Sequence, residues 1–342
     1  MEHQLKACLN QAIGKRSTLF ASPQTLSGSR RDGAFRLFNG FYEGFPDLVL
    51  DVYARTLVIY DYSEIPDPSL AAQIFDYIHT EAHSQFPSLD WLNAAVLKMR
   101  NGKTQVEKRG SLIFGGPPDR KIREHGVWYA IDLMMSHDAS FYLDTTALRK
   151  WLLENSRGKS VLNTFAYTGS LGTAAIAGGA AQVLQTDLNR GFLNLAKDSY
   201  SLNGFSIHRQ DFLAQDFFPA VARFKSSRQT FDCVIIDPPF FSTTPRGKVD
   251  QENESARLIN KVRPLINDGG VLIAINNAVF LSGADYMKSL EKLCKDGYLS
   301  LRELVPVPDD FIGFDRIGKP ITDPAPFNHS TKIAILDVRR KG

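Results

Sequence analysis

An acidic residue followed by two prolines and an aromatic residue is the sharpest chemical signal in this 342-residue chain. Asp237, Pro238, Pro239 and Phe240 come directly after the apolar run 233–236, which has the composition of a buried strand. Proline restricts the backbone and donates no hydrogen bond, so the proline carbonyls and the carboxylate can accept hydrogen bonds from an amino group. The aromatic ring can stack on a base. These four residues are therefore predicted to form a catalytic site for a nitrogen-bearing substrate.

Small and acidic residues follow three earlier predicted strands, where a nucleoside cofactor could bind. Asp187 and Leu188 follow the second strand, and a carboxylate there can accept hydrogen bonds from both ribose hydroxyls. Asp211 and Phe212 follow the third, where the carboxylate can accept from an adenine amine beside the aromatic ring. Helix capping by these carboxylates is the alternative interpretation. The segment after the first strand lets its backbone approach a ligand, and its members are Thr164, Phe165, Ala166, Tyr167, Thr168 and Gly169.

The spacing of these segments predicts the fold that positions them. The four strands end near residues 163, 187, 211 and 237, which leaves room for one strand and one crossover helix in each interval. This repeat predicts an α/β fold with a Rossmann-like, mostly parallel sheet, and ligands bind at the carboxyl ends of such strands. The last two predicted strands, 298–305 and 331–338, have no obvious crossover helix between them. The last strand is therefore expected to be antiparallel.

Residues 1–125 lack this repeat and are predicted to form a smaller N-terminal α+β module, with residues 126–342 as the catalytic domain. The module is a candidate RNA-binding element, because residues 95–125 carry eight basic and three acidic side chains in a chain of net charge +3. A solvated β-hairpin is the alternative interpretation. The basic residues are Lys98, Arg100, Lys103, Lys108, Arg109, Arg120, Lys121 and Arg123.

The composition excludes several other classes of protein. Hydrophobic residues make up 43% and charged residues 23% of the chain, which excludes a disordered or collagen-like protein. No apolar stretch reaches the length of a membrane span, and the N-terminus has no signal-like apolar segment. Three scattered cysteines, and seven histidines without ligand spacing, predict neither a disulfide framework nor a metal site. We therefore expect a cytoplasmic protein without a metal or a membrane partner.

Taken together, segment 163–169, Asp187, Asp211 and the Asp-Pro-Pro motif resemble the class I S-adenosylmethionine-dependent methyltransferases. Within that class, segments 141–149, 165–169 and 201–204 resemble the bacterial 23S rRNA methyltransferases, which include 5-methylcytosine and 7-methylguanosine enzymes. The resemblance implies S-adenosylmethionine as the cofactor, bound by the loop 165–169 and the three acidic residues. Phe141 and Asp144 would cover it from the segment before the first strand. The implied partner is RNA, as rRNA or an assembled ribosomal subunit.

One departure from the family distinguishes between its chemistries. Methylation of cytosine at C5 needs a thiolate nucleophile, which the 5-methylcytosine relatives carry after the fifth strand. Here that place holds Asn276 and Asn277, and Cys233 lies inside an apolar strand. We therefore expect methyl transfer to a nitrogen of an RNA base. Methylation of another amine in DNA, a protein or a small molecule, and a catalytically silent RNA-binding protein, are the alternatives. The loop lacks the glycine pattern of NAD-dependent enzymes.

Overall fold

The computed structural model describes residues 1–20, 30–81, 89–315 and 317–340. The strands within these residues are β1 (Ala34–Asn39), β2 (Leu48–Tyr53), β3 (Thr56–Asp61), β4 (Ala94–Met99), β5 (Ser111–Gly115), β6 (Lys121–Glu124), β7 (Val127–Ala130), β8 (Ser160–Thr164), β9 (Gln182–Asp187), β10 (Phe212–Ala214), β11 (Phe231–Ile236), β12 (Phe241–Thr244), β13 (Gly247–Asp250), β14 (Ile266–Asn276), β15 (Leu299–Val305) and β16 (Lys332–Val338). The α-helices within them are α1 (His3–Phe20), α2 (Gly40–Glu43), α3 (Pro68–Asp76), α4 (Gln105–Arg109), α5 (Thr146–Asn155), α6 (Ser170–Ala177), α7 (Arg190–Leu202), α8 (Phe217–Ser226), α9 (Ser255–Val262), α10 (Gly283–Cys294) and α11 (Asp309–Ile312). None of these helices is long and apolar enough to cross a membrane.

Two compact units divide the chain, and their boundary differs from the predicted one. The first unit is Met1–Asp144 with Pro308–Ile321, and the second is Thr145–Val307 with Thr322–Gly342. The first unit extends to Asp144, beyond the division expected between residues 125 and 126, because residues 126–144 pack with the N-terminal module. The Tyr53 hydroxyl donates to the Phe141 carbonyl at 3.1 Å, and the Phe141 ring lies 5.1 Å from that of Tyr129.

A mixed sheet forms the centre of the first unit, with strand order β1-β2-β3-β4-β5 in the described residues. Strands β3 and β4 are parallel and are connected through α3, whereas the other neighbouring strands are antiparallel. Apolar side chains of α1, among them Leu5, Leu9 and Ile13, share one core with Leu37 and Leu50 of the sheet. The N-terminal helix and this sheet therefore stabilise each other by burial of apolar surface.

The late segment 308–321 is held in the first unit by a buried arginine. The Arg16 side chain, 1% exposed, donates to the Glu43 carboxylate at 2.7 Å and to the Asp310 carbonyl at 2.7 Å. The sequence favours an end of the first helix at Gly14, but α1 continues one and a half turns further. The buried contacts of Arg16 stabilise this last part of the helix beyond the glycine.

The second unit contains a sheet with strand order β10-β9-β8-β11-β14-β16-β15 in the described residues. Strands β8 to β11 and β14 pair in parallel, and β16 is antiparallel to both of its neighbours, as predicted. The strand order reverses at β8, between β9 and β11. This is the position at which an open α/β sheet binds ligands, at the carboxyl ends of its strands.

Strand β11 is buried on both faces, which explains its continuous apolar sequence. Val234 and Ile236 contribute to a core with helices α8, α9 and α10, whereas Cys233 and Ile235 contribute to another with α5 and α6. These alternating residues are at most 3% exposed. Helices therefore cover both faces of the sheet, as the sequence repeat predicts.

The predicted third strand is wrong. The sequence predicts that it ends near residue 211, but the structure has a 3₁₀ turn at Arg209–Asp211 and a strand, β10, of only three residues after it. Strand β10 pairs with β9 in parallel, with Ala214 opposite Asp187. Asp211 therefore precedes the third strand instead of following it.

Candidate active site

The loop after β8 has a strained backbone. Phe165 and Tyr167 have φ angles of +53° and +51°, and Gly169 has a φ of +75°. Left-handed conformations are uncommon for residues with a side chain, and such strain occurs often at ligand-binding loops. The Tyr167 amide donates to the Asp187 carboxylate at 2.8 Å, which ties the loop to the end of β9.

Two of the four side chains of this loop, Ala166 and Thr168, are buried, so a ligand there would meet backbone groups beside the half-buried Phe165 and Tyr167. The Thr164 hydroxyl donates to the Ile235 carbonyl at 2.8 Å, and Ala166 and Thr168 are 7% and 4% exposed. Gly169 has no room for a side chain, because a Cβ atom would lie 2.4 Å from the Ala196 Cβ. The loop is thus a close-packed cradle that presents peptide groups followed by the start of α6.

Asp187 is the last residue of β9 and accepts two backbone hydrogen bonds. One carboxylate oxygen accepts from the Tyr167 amide and the other from the Asn189 amide, both at 2.8 Å. Each oxygen retains capacity for a further donor, such as a ribose hydroxyl. Burial raises the pKa of Asp187. The neighbouring Leu188 is 67% exposed and offers an apolar surface beside the carboxylate.

Asp211 and Phe212 do not lie at this edge of the sheet. Asp211 accepts a hydrogen bond at 2.9 Å from the side chain of Gln182, which is the first residue of β9, whereas Asp187 is its last. Phe212 is 7% exposed and packs against Tyr200, with the ring centroids 5.2 Å apart. The parallel pairing of β10 thus contradicts the placement on which the predicted adenine contact of this pair depends.

Asp216 occupies the place that the sequence analysis gives to Asp211. The triplet Gln-Asp-Phe occurs twice, at 210–212 and at 215–217, and only the second copy follows β10. Asp216 accepts a hydrogen bond from the first turn of α8 at 2.9 Å. The Phe217 ring stacks on Phe165 with centroids 4.6 Å apart. The second triplet therefore lies against the cradle, and its duplication is the sequence signal that could have revealed it.

The Asp-Pro-Pro-Phe motif directly follows β11, the neighbour of β8, as predicted. Asp237 is half-buried, Pro238 is buried and Pro239 is exposed. Phe240 is 41% exposed, so its side chain is accessible to a planar partner. The chain then continues into the β12–β13 hairpin, which returns it to the motif at Gln251.

A buried polar network connects this motif to the asparagine pair after β14. The side-chain amide of Gln251, a residue 1% exposed, donates to the Pro238 carbonyl and to the Asn277 side-chain oxygen, the latter at 3.1 Å. The Gln251 side-chain oxygen accepts from the Asn277 backbone amide at 3.1 Å. Asn276 donates to the Gln251 carbonyl at 2.9 Å. Sequence analysis missed Gln251, because nothing in its local sequence indicates these contacts.

A buried lysine closes the network from the last strand. The Lys332 ammonium donates to the Ala278 carbonyl at 2.9 Å and to the Ser330 carbonyl, and burial lowers the pKa of Lys332 to about 8.

Cys233 is 3% exposed within β11, and burial raises the pKa of its thiol to about 12. That cysteine is therefore a packing residue and not a thiolate at neutral pH.

The structure places Phe141 and Asp144 in the first unit. Phe141 is 3% exposed within that unit, and Asp144 is half-buried. Their contact with a cofactor stays a prediction.

In the described part of the chain there is no group of three or more histidine, cysteine, aspartate or glutamate side chains that could hold a metal ion.

Two residues of the predicted basic segment are not available to a partner as expected. Lys98 is fully buried in β4, and its ammonium donates to the Arg109 carbonyl and to the Ser136 carbonyl, the latter at 2.8 Å. Arg100 forms an ion pair with Asp138 at 3.0 Å. The basic side chains that are exposed are Lys103, Arg109, Arg120 and Lys121.

Comparison with known proteins decides what this arrangement is. The sequence profile of the S-adenosylmethionine-dependent methyltransferases matches residues 109–316. The chain belongs to the S-adenosylmethionine-dependent methyltransferase family. This confirms the predicted family and its cofactor, and the cradle with Asp187 on the carboxyl edge fits that cofactor.

Curated relatives of this methyltransferase carry names of rRNA-modifying enzymes. It is 28% identical to ribosomal RNA large subunit methyltransferase I of Serratia proteamaculans, over 72% of this chain and 62% of that protein. It is 30% identical to the enzyme of the same name from Aeromonas salmonicida, over 78% of this chain and 65% of that protein. Ribosomal RNA large subunit methyltransferase K/L of Colwellia psychrerythraea is 29% identical, over 71% of this chain and 34% of that protein. The chain thus spans less than two thirds of these relatives.

Solved structures confirm the fold of the methyltransferase. SMU.776, solved in complex with SAH, is 22% identical with a TM-score of 0.80, and the similarity covers 99% of this chain and 83% of that one. A protein from Streptococcus mutans described as SAM-dependent is 22% identical with a TM-score of 0.75, covering 96% of this chain and 81% of that one. The predicted Rossmann-like fold class is therefore confirmed.

Proposed function

We propose that this methyltransferase transfers a methyl group from S-adenosylmethionine to a nitrogen of a base in large-subunit rRNA. The observation that carries the proposal is the place of Asp237–Phe240 on the carboxyl edge, one strand away from the cradle 165–169. The names of the relatives favour large-subunit rRNA over DNA, protein or small-molecule amines. The proposal includes a cytoplasmic location, where ribosomal subunits are found.

The cofactor supplies a methyl group on a positively charged sulfur, and this chain's residues would hold it by its three parts. Backbone groups of the loop 165–169 would hold the methionine portion, and the remaining acceptor capacity of Asp187 would hold the ribose hydroxyls. Asp216 would accept from the adenine amine in place of Asp211. Phe141 and Asp144 would cover the cofactor.

The acceptor base would lie against the Asp-Pro-Pro-Phe motif. The exposed side chain of Phe240 can stack on the base, and Asp237 can accept a hydrogen bond from its edge. No nucleophile is needed for transfer to nitrogen, because a nitrogen lone pair aligned with the methyl group can attack it directly. The asparagine pair after β14 and the buried thiol of Cys233 support nitrogen over C5 of cytosine.

We further propose that the exposed basic residues of the N-terminal unit bind phosphate groups of the RNA. Lys121 lies with its ammonium 4.6 Å from the centre of the Trp128 ring, so this surface combines positive charge with an aromatic face. Within residues 95–125, Lys103, Arg109 and Arg120 are also exposed. Phosphate contacts of this kind do not depend on base sequence.

Nucleoside mass spectrometry of rRNA tests the function. Large-subunit rRNA from a strain that lacks this gene should lack one methylated nucleoside, and the wild-type gene should restore it. The Asp237→Ala gene should not restore it, whereas Glu252→Ala, at an exposed position, should. Identical nucleosides in the deletion and parent strains would contradict an rRNA substrate.

A further inference from the structure

The exposed aromatic side chains of the second unit lie together at one edge of its sheet. In the described residues of this unit, the exposed phenylalanine, tyrosine and tryptophan side chains are Phe240, Phe241 and Phe280, at 41%, 55% and 80% exposure. The first two follow β11 and the third follows β14, and these strands are parallel neighbours. A single exposed apolar side chain is ordinary, whereas a group of them at one edge indicates a binding surface.

Val279 and Phe280 form a turn after β14, beside the Asp-Pro-Pro-Phe motif. Ile236, the last residue of β11, pairs with Ala274, so the carboxyl ends of the two strands are adjacent. Val279 is 69% exposed, which makes the whole turn apolar and accessible. The sheet therefore presents a protruding apolar turn next to the motif.

Buried polar contacts hold the base of this turn. The Lys332 ammonium donates to the Ala278 carbonyl at 2.9 Å, and the Ala278 amide donates to the Asn276 side-chain oxygen at 2.9 Å. The Asn277 amide donates to the Gln251 side-chain oxygen at 3.1 Å. Lys332, Ala278 and Asn276 have no exposed surface. The turn is thus fixed before any ligand arrives, so binding there would cost little ordering of the chain.

The β12–β13 hairpin presents another exposed ring together with cations. Phe241 is the first residue of β12, and the Lys248 ammonium lies 5.3 Å from the centre of its ring. Lys248 also forms an ion pair with Asp250 at 2.9 Å. Arg246 lies in the exposed turn of the hairpin. An aromatic ring and positive charge therefore occur on the same hairpin.

Gln251 connects this hairpin to the turn after β14. Its backbone amide donates to the Phe240 carbonyl at 3.0 Å, and its carbonyl accepts from the Asn276 side chain at 2.9 Å. The two segments that carry Phe241 and Phe280 therefore meet at one buried residue. Both rings belong to the surface around the motif.

Aromatic rings beside cations fit an unpaired stretch of nucleic acid. Unpaired bases can stack on exposed rings, while cations neutralise the phosphates between them. The bases of a duplex are already stacked on one another and are not available to such rings. The cations beside Phe241, and the position of both rings next to the motif proposed to hold a base, favour RNA over an apolar protein surface.

We infer that Phe280 and Phe241 stack on unpaired nucleotides that flank the acceptor base, so that the methyltransferase takes its target from a single-stranded segment of RNA. Arg246 and Lys248 would bind the phosphates of that segment. The inference rests on the proposed function and specifies the structure of the RNA at the same site. Phe280 and Phe241 are binding residues and take no part in methyl transfer itself.

Binding of a short oligonucleotide tests the stacking. A fluorescently labelled oligouridylate of about ten nucleotides is titrated with the full chain in fluorescence anisotropy, both alone and paired with its complement. Phe280→Leu, which keeps an apolar side chain without the ring, should weaken binding of the single strand about tenfold. Phe280→Trp should stay within about twofold of wild type. The losses in Phe280→Leu and Phe241→Leu should multiply in the double variant, because the rings would hold different nucleotides.

The matched control is Ile207→Ala, which should bind the oligonucleotide as wild type does. Ile207 is 40% exposed in the segment before β10, on the amino side of the same sheet. Wild-type affinity in a folded Phe280→Leu protein would overturn the inference. Equal losses in Phe280→Leu and Phe280→Trp would also overturn it, because the side chain would then act by packing. Tighter binding of the duplex than of the single strand by the wild-type chain would contradict a single-stranded target.

Methylation of large-subunit rRNA from the deletion strain separates the inference from the proposed function. Phe280→Leu should raise the KM for this rRNA about tenfold and leave the Kd for the cofactor within about twofold of wild type. Wild-type kinetics on protein-free rRNA, with a loss only on assembled subunits, would assign the ring to a ribosomal protein and overturn the inference. No methylated base with the wild-type chain would overturn the proposed function and the inference with it.

Discussion

Replacement of Asp187 by alanine should weaken the binding of S-adenosylmethionine by about 2–3 kcal/mol, or roughly 30- to 150-fold in Kd. The carboxylate would bind the ribose hydroxyls through charge-assisted hydrogen bonds, and its loss removes them. It also removes the 2.8 Å hydrogen bond from the Tyr167 amide, so the cradle loses its connection to β9. Both effects act on cofactor binding and leave the Asp-Pro-Pro-Phe motif unchanged.

Isothermal titration calorimetry of the purified chain measures this effect. The matched control is Asp211→Asn, which alters the acidic residue that the parallel pairing of β10 places away from the carboxyl edge. Its Kd for the cofactor should stay within about twofold of wild type. A folded Asp187→Ala protein that binds the cofactor as tightly as wild type would refute the assignment. Equal losses in the two variants would refute the distinction between the two edges.

The pH dependence of binding provides a second test of the same residue. Burial raises the pKa of Asp187, so this carboxylate takes up a proton at a higher pH than an ordinary aspartate, whose pKa is about 3.9. The ionised form is the better acceptor for hydroxyl donors. Cofactor affinity should therefore decline as the pH falls through that raised pKa. The decline should be absent from Asp187→Ala, and an identical decline in both proteins would show that another group titrates.

Three further predictions concern the cradle, the thiol and the basic surface. Gly169→Ala should reduce the free energy of unfolding by about 2–4 kcal/mol, because its φ of +75° and the 2.4 Å approach to Ala196 both oppose a Cβ atom; a loss below about 1 kcal/mol in urea denaturation would contradict this. Cys233→Ala should retain methyl transfer to RNA, since its thiol is buried and protonated; a folded but inactive variant would support a thiolate mechanism. Lys103→Glu and Arg120→Glu should each weaken RNA binding and reduce the slope of log K against log salt by about one unit in fluorescence anisotropy, and unchanged slopes would indicate a solvated surface.

The acidic side chains show how far residue order alone locates a site. Asp187 ends β9 and Asp237 directly follows the apolar end of β11, and each strand has six residues, so the strand pattern and the spacing between strands were sufficient to place both residues on the carboxyl edge. Asp211 and Asp216 lie in identical Gln-Asp-Phe triplets around a strand of three residues. A strand that short has no measurable period. Only its pairing with β9 shows which triplet follows it.

Lys98 shows the corresponding limit for charge. Its place among eight basic residues predicts a phosphate contact, yet it lies inside β4 and its ammonium is bonded to carbonyls of Arg109 and Ser136. The count of charges in a segment does not depend on which way each side chain points. Strand β4 has neighbours on both sides, and its burial decided that this lysine faces inward.

The sequence by itself determined the α/β repeat, the antiparallel last strand, the place of the Asp-Pro-Pro-Phe motif after a strand and the family, because these depend on local periodicity and on residues adjacent along the chain. The tertiary structure alone decided the unit boundary, the place of Asp216 after β10 and the contacts of Gln251. Gln251 is 13 residues from Pro238 and 26 from Asn277 along the chain, yet its side chain bonds both. Such contacts arise when the β12–β13 hairpin brings Gln251 back to the end of β11. Side-chain hydrogen bonds across such distances leave no periodic pattern in the sequence, so only the folded chain reveals them.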